Sequence, residues 1–442
     1  MTGEFKPGQT NQEYEQMNMP TRITEAGNSL AAPASIASKE IRTLRAGFIP
    51  LVDASVLIAA AEFGFARAEG LSLDLVKDAS WANVRDRLAF RQFDIAHMLS
   101  PMPVASMLGL GSNPSPTITP FSLGRGGNAI TLSARLYERM RATAALAETA
   151  DALENAQALA SVVRDMKARG EPLLTLAMTY PFSSHNYEFR YWLAAGGIDP
   201  DCDVKLVVVP PPLTSDALAT GAIDGFCVGA PWNMVASERG TGRIVAAKQD
   251  IWPAAPEKVI GMRPEWAETH PETVSRLIVA LDKAARWCDN TGNHDALAEI
   301  LADGRYLGVS QHIVRNVLAG TFNLDAQGSH RVIEHYFSFH AGLANCPRPN
   351  DAMWIYSQMV RWGQIGASQA AQQRAAQSYR PDLYCAALGI AHPPFEPGAV
   401  EGAHAGDRFM DGRIFDPSDV GSYVHGFDVR RDVFASLSAA ED

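Results

Sequence analysis

The sequence predicts an α/β protein of two lobes. Three observations carry this: short β-like runs alternate with helical patterns, the alternation occurs in two separate series, and a glycine-rich stretch divides them. In the first series "TLRAGFIP" reads as a strand, Ala54 to Glu69 as a helix, "LSLDLVKD" as a strand, Ala82 to Phe90 as a helix and "FDIAHML" as a strand. In the second, "LLTLAMTY", a helix from Tyr187 to Ala195, "DVKLVVVPP", a helix from Leu213 to Thr220 and "AIDGFCVG" follow the same order. Such βαβ units build parallel sheets covered by helices.

Between the series lies "GRGGNAITLSARL", Gly124 to Leu136, where a chain free to adopt positive φ can cross from one lobe to the other. A return is expected near "EKVIGMRPEW". The expected organisation is therefore a flexible arm at 1–40, the first part of lobe I at 41–132, lobe II at 133–255, and the return to lobe I with a C-terminal extension at 256–442. The arm is assigned from its richness in Thr, Asn, Gln, Gly, Ser and Pro. Ala142 to Arg169 reads as one alanine-rich helical insertion on lobe II. Pro271 to Asp289 reads as an amphipathic helix, with Val274, Leu277, Ile278 and Leu281 near helical spacing.

Composition narrows the function. With 442 residues, 47% hydrophobic and 20% charged, the chain is long enough and apolar enough for two packed cores. Its net charge of −11 opposes direct binding to nucleic acid or an anionic membrane. Five cysteines, widely spaced and without a CxxC pair, argue against a disulfide framework or a zinc site and favour a reducing compartment. The polar, acid-bearing start is unlike a secretory leader, and no apolar run is long enough to span a bilayer, so a cytoplasmic location is expected.

Catalytic patterns are sparse. No GK[ST] phosphate loop, GxSxG elbow or HExxH helix occurs. "HRVIEHYFSFH" holds His330, Glu334, His335 and His340, but five positions between the first two histidines point them apart on a helix, so packing outweighs a metal role. Cys227, flanked by apolar residues, reads as a buried inert thiol. His185 stands apart because "SSH" sits at the mouth of the "YEFRYWL" helix, where free N–H groups and two hydroxyls can receive an anion. Capping by Ser183 and Ser184, with His185 simply packing, explains the same residues equally well.

Several segments together, "ASWANVRDRL", "FDIAHMLSPMPVA", "RYWLAAGGIDPD", "IDGFCVGAPWN", "PEKVIGMRPEW" and "FMDGRIFDP", resemble the nitrate/bicarbonate substrate-binding proteins of ABC importers, in unbroken order over roughly residues 41 to 420. The resemblance implies a type II periplasmic-binding-protein fold, two α/β lobes around a hinge and a ligand cleft, with no enzymatic activity, cofactor or metal. It implies ligand contacts from Trp81, Gly127, Asn128, Ser184, His185 and Lys258. Relatives commonly carry glutamine where Asn128 aligns. The bicarbonate branch carries a glutamate with calcium where Lys258 aligns, so lysine favours nitrate or nitrite.

The cytoplasmic expectation then points to a sensor branch that controls a NasT-type transcription antiterminator, with an importer's binding protein as the alternative. A pyrimidine-synthesis enzyme of related fold is a third possibility. Nitrate accepts hydrogen bonds and donates none, so a pocket made only of donors and positive charge is expected, with no free carboxylate. At 4 Å and an effective dielectric near 20 a unit charge is worth about 4 kcal/mol, which makes Lys258 the expected counter-charge.

Overall fold

In a computed structural model of the chain, residues 41–253, 255–393 and 408–431 are described. The arm expected at 1–40 lies outside them. Eleven strands frame the site: β1 (Arg42–Phe48), β2 (Leu71–Lys77), β3 (Ile95–Leu99), β4 (Ile118–Ser122), β5 (Arg125–Gly126), β6 (Asn128–Ser133), β7 (Thr175–Met178), β8 (Lys205–Val208), β9 (Gly225–Gly229), β10 (Gly242–Ala247) and β11 (Lys258–Met262). Ten of them form two five-stranded sheets, ordered β2-β1-β3-β11-β4 and β10-β6-β9-β7-β8.

The two lobes follow the predicted alternation, but neither sheet is wholly parallel. β1 runs parallel to β2 and β3, whereas β11 is antiparallel to both β3 and β4. In the second sheet β7 runs parallel to β8 and β9, and β6 is antiparallel to β9 and β10. The cause is the crossing. Parallel strands of βα units end at the cleft, so a strand arriving from the other lobe starts where they finish. Asn128, the first residue of β6, faces Gly229 at the end of β9, and Lys258, the first of β11, faces Leu99 at the end of β3.

The crossings lie side by side, joined by an isolated bridge between Arg125 and Pro256. Gly126 (φ +88) and Gly127 (φ +95) carry the outward crossing, and a side chain on either would strike Tyr336 Oxygen or the Phe337 ring. These boundaries correct the expected ones. The first crossing precedes β6, so the limit at 132/133 falls inside a strand of the second sheet.

The stretch 256–442, expected as the return to lobe I and a C-terminal extension, is shared between the two cores. The helix Pro271–Asp289 buries Val274, Leu277, Ile278 and Leu281 in the first core, each worth roughly 1.5–3 kcal/mol. The helix Pro349–Arg361 and the segment with Phe409, Tyr423 and Phe427 instead pack into the second core, with Ile130, Leu176 and Trp192.

Three local expectations also change. The helix expected over Ala54–Glu69 breaks into Ser55–Glu62 and Phe65–Ala68 at Gly64, whose φ of +80 no ordinary helical residue adopts. The insertion is two helices, Ala134–Ala144 and Ala152–Ala168; Asp151 and Glu154 form a capping box that starts the second afresh. "HRVIEHYFSFH" is not helical: it holds the short strands His330–Val332 and Phe337–Ser338. Among the described residues no helix is long and apolar enough to cross a membrane.

Candidate functional site

The site grows from the cleft ends of the strands. After β7 the chain turns into the helix Ser184–Ala195, capped by Ser183, whose hydroxyl accepts from the Asn186 N–H at 2.9 Å. The helix therefore starts three residues earlier than the sequence predicted. Ser184 and His185 are not ahead of it but in its first turn, and Glu188, four residues after Ser184, shares that face. All three are buried.

Five of the expected residues converge. Asn128 Nδ2 donates to Glu257 and, at 3.1 Å, to Glu188. Ser184 Oγ lies 3.0 Å from each Glu257 oxygen. Lys258 Nζ pairs with Glu257 and with Asp53 Oδ2 at 2.7 Å. His185 Nε2 stands 3.8 Å from Glu257, while its Nδ1 meets the Thr179 hydroxyl at 3.1 Å. Trp81 lies beneath, its ring 5.9 Å from the Lys258 ammonium and edge-on to His97. Gly127 stands behind, its carbonyl accepting from the Ala230 N–H at 2.8 Å, and offers no side chain.

The donors-only expectation is corrected. Glu257 occupies the centre of the group, and Asp53, His97, Glu188 and Lys248 complete it. Lys248 Nζ contacts Glu257, Glu188 at 3.0 Å and the Pro256 carbonyl at 2.7 Å. Asp53 lies 3.0 Å from His97 Nε2, and His97 Nδ1 accepts from the Ile49 N–H, so the imidazole proton faces the carboxylate. Lys258 is thus not a lone counter-charge but one of two ammonium groups, each held between two carboxyls. The physical reason is desolvation: an unpaired ammonium buried this deeply would be expelled or lose its proton.

Electrostatics follow from that packing. Burial opposes charge on every member, and the net direction depends on partners. Glu257 is held below the usual carboxylate range because Lys248 and Lys258 outweigh its desolvation, and Asp53 is lowered chiefly by Lys258. Lys258 is raised by Asp53 and Glu257 against its burial. Glu188 is pushed up to about 7 by burial and by Glu257, despite Lys248. Burial and Lys258 lower His185 to about 3, and burial lowers His97. Both imidazoles are therefore neutral at pH 7.

Sequence reasoning missed five members, though two carried a signal. Asp53 in "LVDAS" is a carboxylate inside an apolar run, which needs a buried partner. Glu188 repeats Ser184 at i+4. Glu257 gave no such hint: neighbours on a strand face opposite sides, but Glu257 precedes β11, and the turn there brings both it and Lys258 inward.

Other features compete less well. A cavity of about 480 Å³ is lined by Tyr137, Arg243, Asp250, His330 and Arg331. Its charges already face one another, Arg331 on Asp250 at 2.5 Å and Arg243 on Asp325. Cys227 is buried with its thiol pushed well up by desolvation, so it is a poor nucleophile. Among the described residues no cluster of His, Cys, Asp and Glu is arranged to hold a metal ion.

Two α/β lobes whose strand ends enclose a buried polar cluster define a protein of the periplasmic-binding-protein fold. The chain belongs to the NMT1-like family, whose model matches residues 37–302. It is 30% identical over 415 residues to the nitrate/nitrite binding protein NrtA of Nostoc, covering 91% of this chain and 90% of that one. The nitrate import ATP-binding protein NrtC of Synechocystis is 34% identical over 392 residues; this chain spans 55% of its length. The crystal structure of the periplasmic nitrate-binding protein NrtA from Synechocystis superposes with a TM-score of 0.78 at 26% identity, over 88% of this chain and 99% of that one. A zinc-bound ligand-binding component of an ABC-type import system from Staphylococcus aureus, at 15% identity and a TM-score of 0.59, shares the fold.

Proposed function

We propose that the chain binds nitrate or nitrite between its lobes and serves as the substrate-binding protein of an ABC importer. One observation carries this reading: Asn128, Ser184, Lys248 and Lys258, from both lobes, aim their donors at one planar carboxylate, with His185 beside it. Two carboxylate oxygens match two of the three in nitrate, so a seat that fits one fits the other. The likeness to NrtA supports the choice of anion. Trp81 Nε1 and His185 Nε2, both buried and without a hydrogen-bond partner, are further donors within this group.

Because the donors come from both sheets, an anion in the seat favours the closed arrangement of the lobes over an open one, and closure is what a permease would read. Binding needs no chemistry from the protein, in keeping with neutral imidazoles and an inert Cys227. Calorimetry with nitrate, nitrite and bicarbonate tests the reading. Nitrate or nitrite is expected to bind and bicarbonate not; Lys258→Glu is expected to weaken nitrate by about 3 kcal/mol, more than a hundredfold. Undiminished nitrate binding by a folded Lys258→Glu protein overturns the assignment of Lys258.

A second reading keeps the same seat and changes the reader of closure: a cytoplasmic NasS-type sensor that holds a NasT-type antiterminator until the anion arrives. The observation in its favour is the set of five free thiols, Cys202 exposed among them, which suits a reducing compartment. Fractionation of the native protein separates the two. A cytosolic protein that co-purifies with an antiterminator only without nitrate supports the sensor, and a periplasmic or membrane-bound one supports the importer.

A further inference from the structure

The seat contains a carboxylate of its own, and that changes what it means to bind an anion there. The Ser184 hydroxyl, 3.0 Å from each Glu257 oxygen, shares its one proton between them, and the carboxylate also takes Asn128, Lys248 and Lys258. A ligand cannot reach these donors while Glu257 holds them. Positive charge is already fully used as well. Three carboxyls, on Asp53, Glu188 and Glu257, face two ammonium groups, on Lys248 and Lys258, and the imidazoles of His97 and His185 are neutral. One more negative charge among groups this buried needs a compensating positive one.

We propose that Glu257 is a tethered competitor for the anion seat, and that a bound monoanion displaces its carboxylate, which takes up a proton from solvent as it leaves the two ammonium groups. The inference rests on the anion-binding reading above and adds a proton to it. Each partner of Glu257 behaves consistently. Lys248 and Lys258 are the groups that hold it ionised. Once the ligand has taken those ammonium groups, Glu257 keeps the burial that favours its neutral form and loses what opposed it.

The remaining groups around Glu257 stay silent in the alkaline range. Glu188, at about 7, is already ionised above pH 8 in the unliganded chain. Cys227, Tyr336 and Tyr379, which also face the cluster, are raised well above their usual values by burial. In the unliganded chain Asp53 is ionised beside Lys258, and His97 and His185 are neutral in this range.

The test is titration calorimetry of the full chain with nitrate between pH 8 and 9.5, in buffers of different ionisation enthalpy, on wild type, Glu188→Gln and Glu257→Gln. For wild type, affinity is expected to fall about tenfold per pH unit, with about one proton taken up per nitrate. Glu257→Gln, whose amide carries no charge to compete, is expected to bind at least tenfold tighter at pH 8.5 and nearly independently of pH. Nitrate binding by wild type with no proton uptake overturns this inference and leaves the anion-binding reading intact. So does a folded Glu257→Gln protein, checked by its melting temperature, that binds more weakly than wild type. If neither protein binds nitrate, nitrite or bicarbonate, both readings fail. Where Glu257→Gln does not fold, the proton count on Glu188→Gln decides the matter: uptake retained there supports Glu257 as the acceptor, and uptake lost there overturns it.

Discussion

Two regions of this molecule bury positive charge, and they do it in opposite ways. At the cleft, Lys248 is clasped by Glu188 and Glu257, and Lys258 by Asp53 and Glu257. In the second core, Arg361 is buried against aromatic faces, 3.6 Å from the Phe427 ring centroid and 4.5 Å from that of Trp362, with Nε donating to the Val429 carbonyl at 3.1 Å. No carboxylate is paired with it among its described contacts, and burial lowers it to about 10. Ionic clasps can exchange one anion for another of like shape; aromatic faces hold a cation without that choice. The first arrangement suits a seat, the second an anchor for the C-terminal segment.

The difference predicts unequal responses to removing charge. Lys258→Met strands Asp53 and Glu257 without their shared ammonium and is expected to lose about 4 kcal/mol in denaturant unfolding. Next in size is a pH effect. Glu188 is raised from 4.5 to about 7 in the folded chain, so between those values the folded state keeps a proton that the unfolded state has released. Its contribution is full below pH 4.5 and is lost as pH rises through 7, on the order of 1 kcal/mol per pH unit. His185, lowered from 6.5 to about 3, acts oppositely, adding stability as pH rises from 3 to 6.5. Glu188→Gln is therefore expected to abolish a decline in melting temperature between pH 6.5 and 7.5 that wild type shows.

The smallest effect is expected at the anchor. Arg361→Met removes a cation without stranding an anion and keeps most of the packing volume, so it is expected to cost about 1 kcal/mol, largely the donor lost to Val429. Equal losses for Lys258→Met and Arg361→Met would erase the contrast between the two regions.

The two lobes and most of their strands were legible because period and punctuation are local: β2, β3, β7 and β9 each lie within the runs that predicted them. The helix Pro271–Asp289 was legible to the residue. The antiparallel course of β6 and β11 was not, since strand direction is fixed by where the chain enters the sheet. Among the site residues, Asn128, Ser184, His185 and Lys258 meet at one point, and Trp81 lies beside them. The acids that balance them were hidden, because the sign of a pocket depends on partners 60 to 200 residues away, such as Asp53 for Lys258 or Glu188 for Asn128. The place of the C-terminal extension was not legible for a similar reason: an amphipathic helix such as Pro349–Arg361 shows that one face is covered and not by which core.

The outward crossing at Gly126 and Gly127 has a bearing on how the molecule can vary. With no room for even a methyl group against the Tyr336 carbonyl and the Phe337 ring, that short bridge is pinned from behind while its neighbour Asn128 reaches forward. Drift in sequence is thereby opposed at this link, and variation is left to the side chains that line the cleft on either side of it.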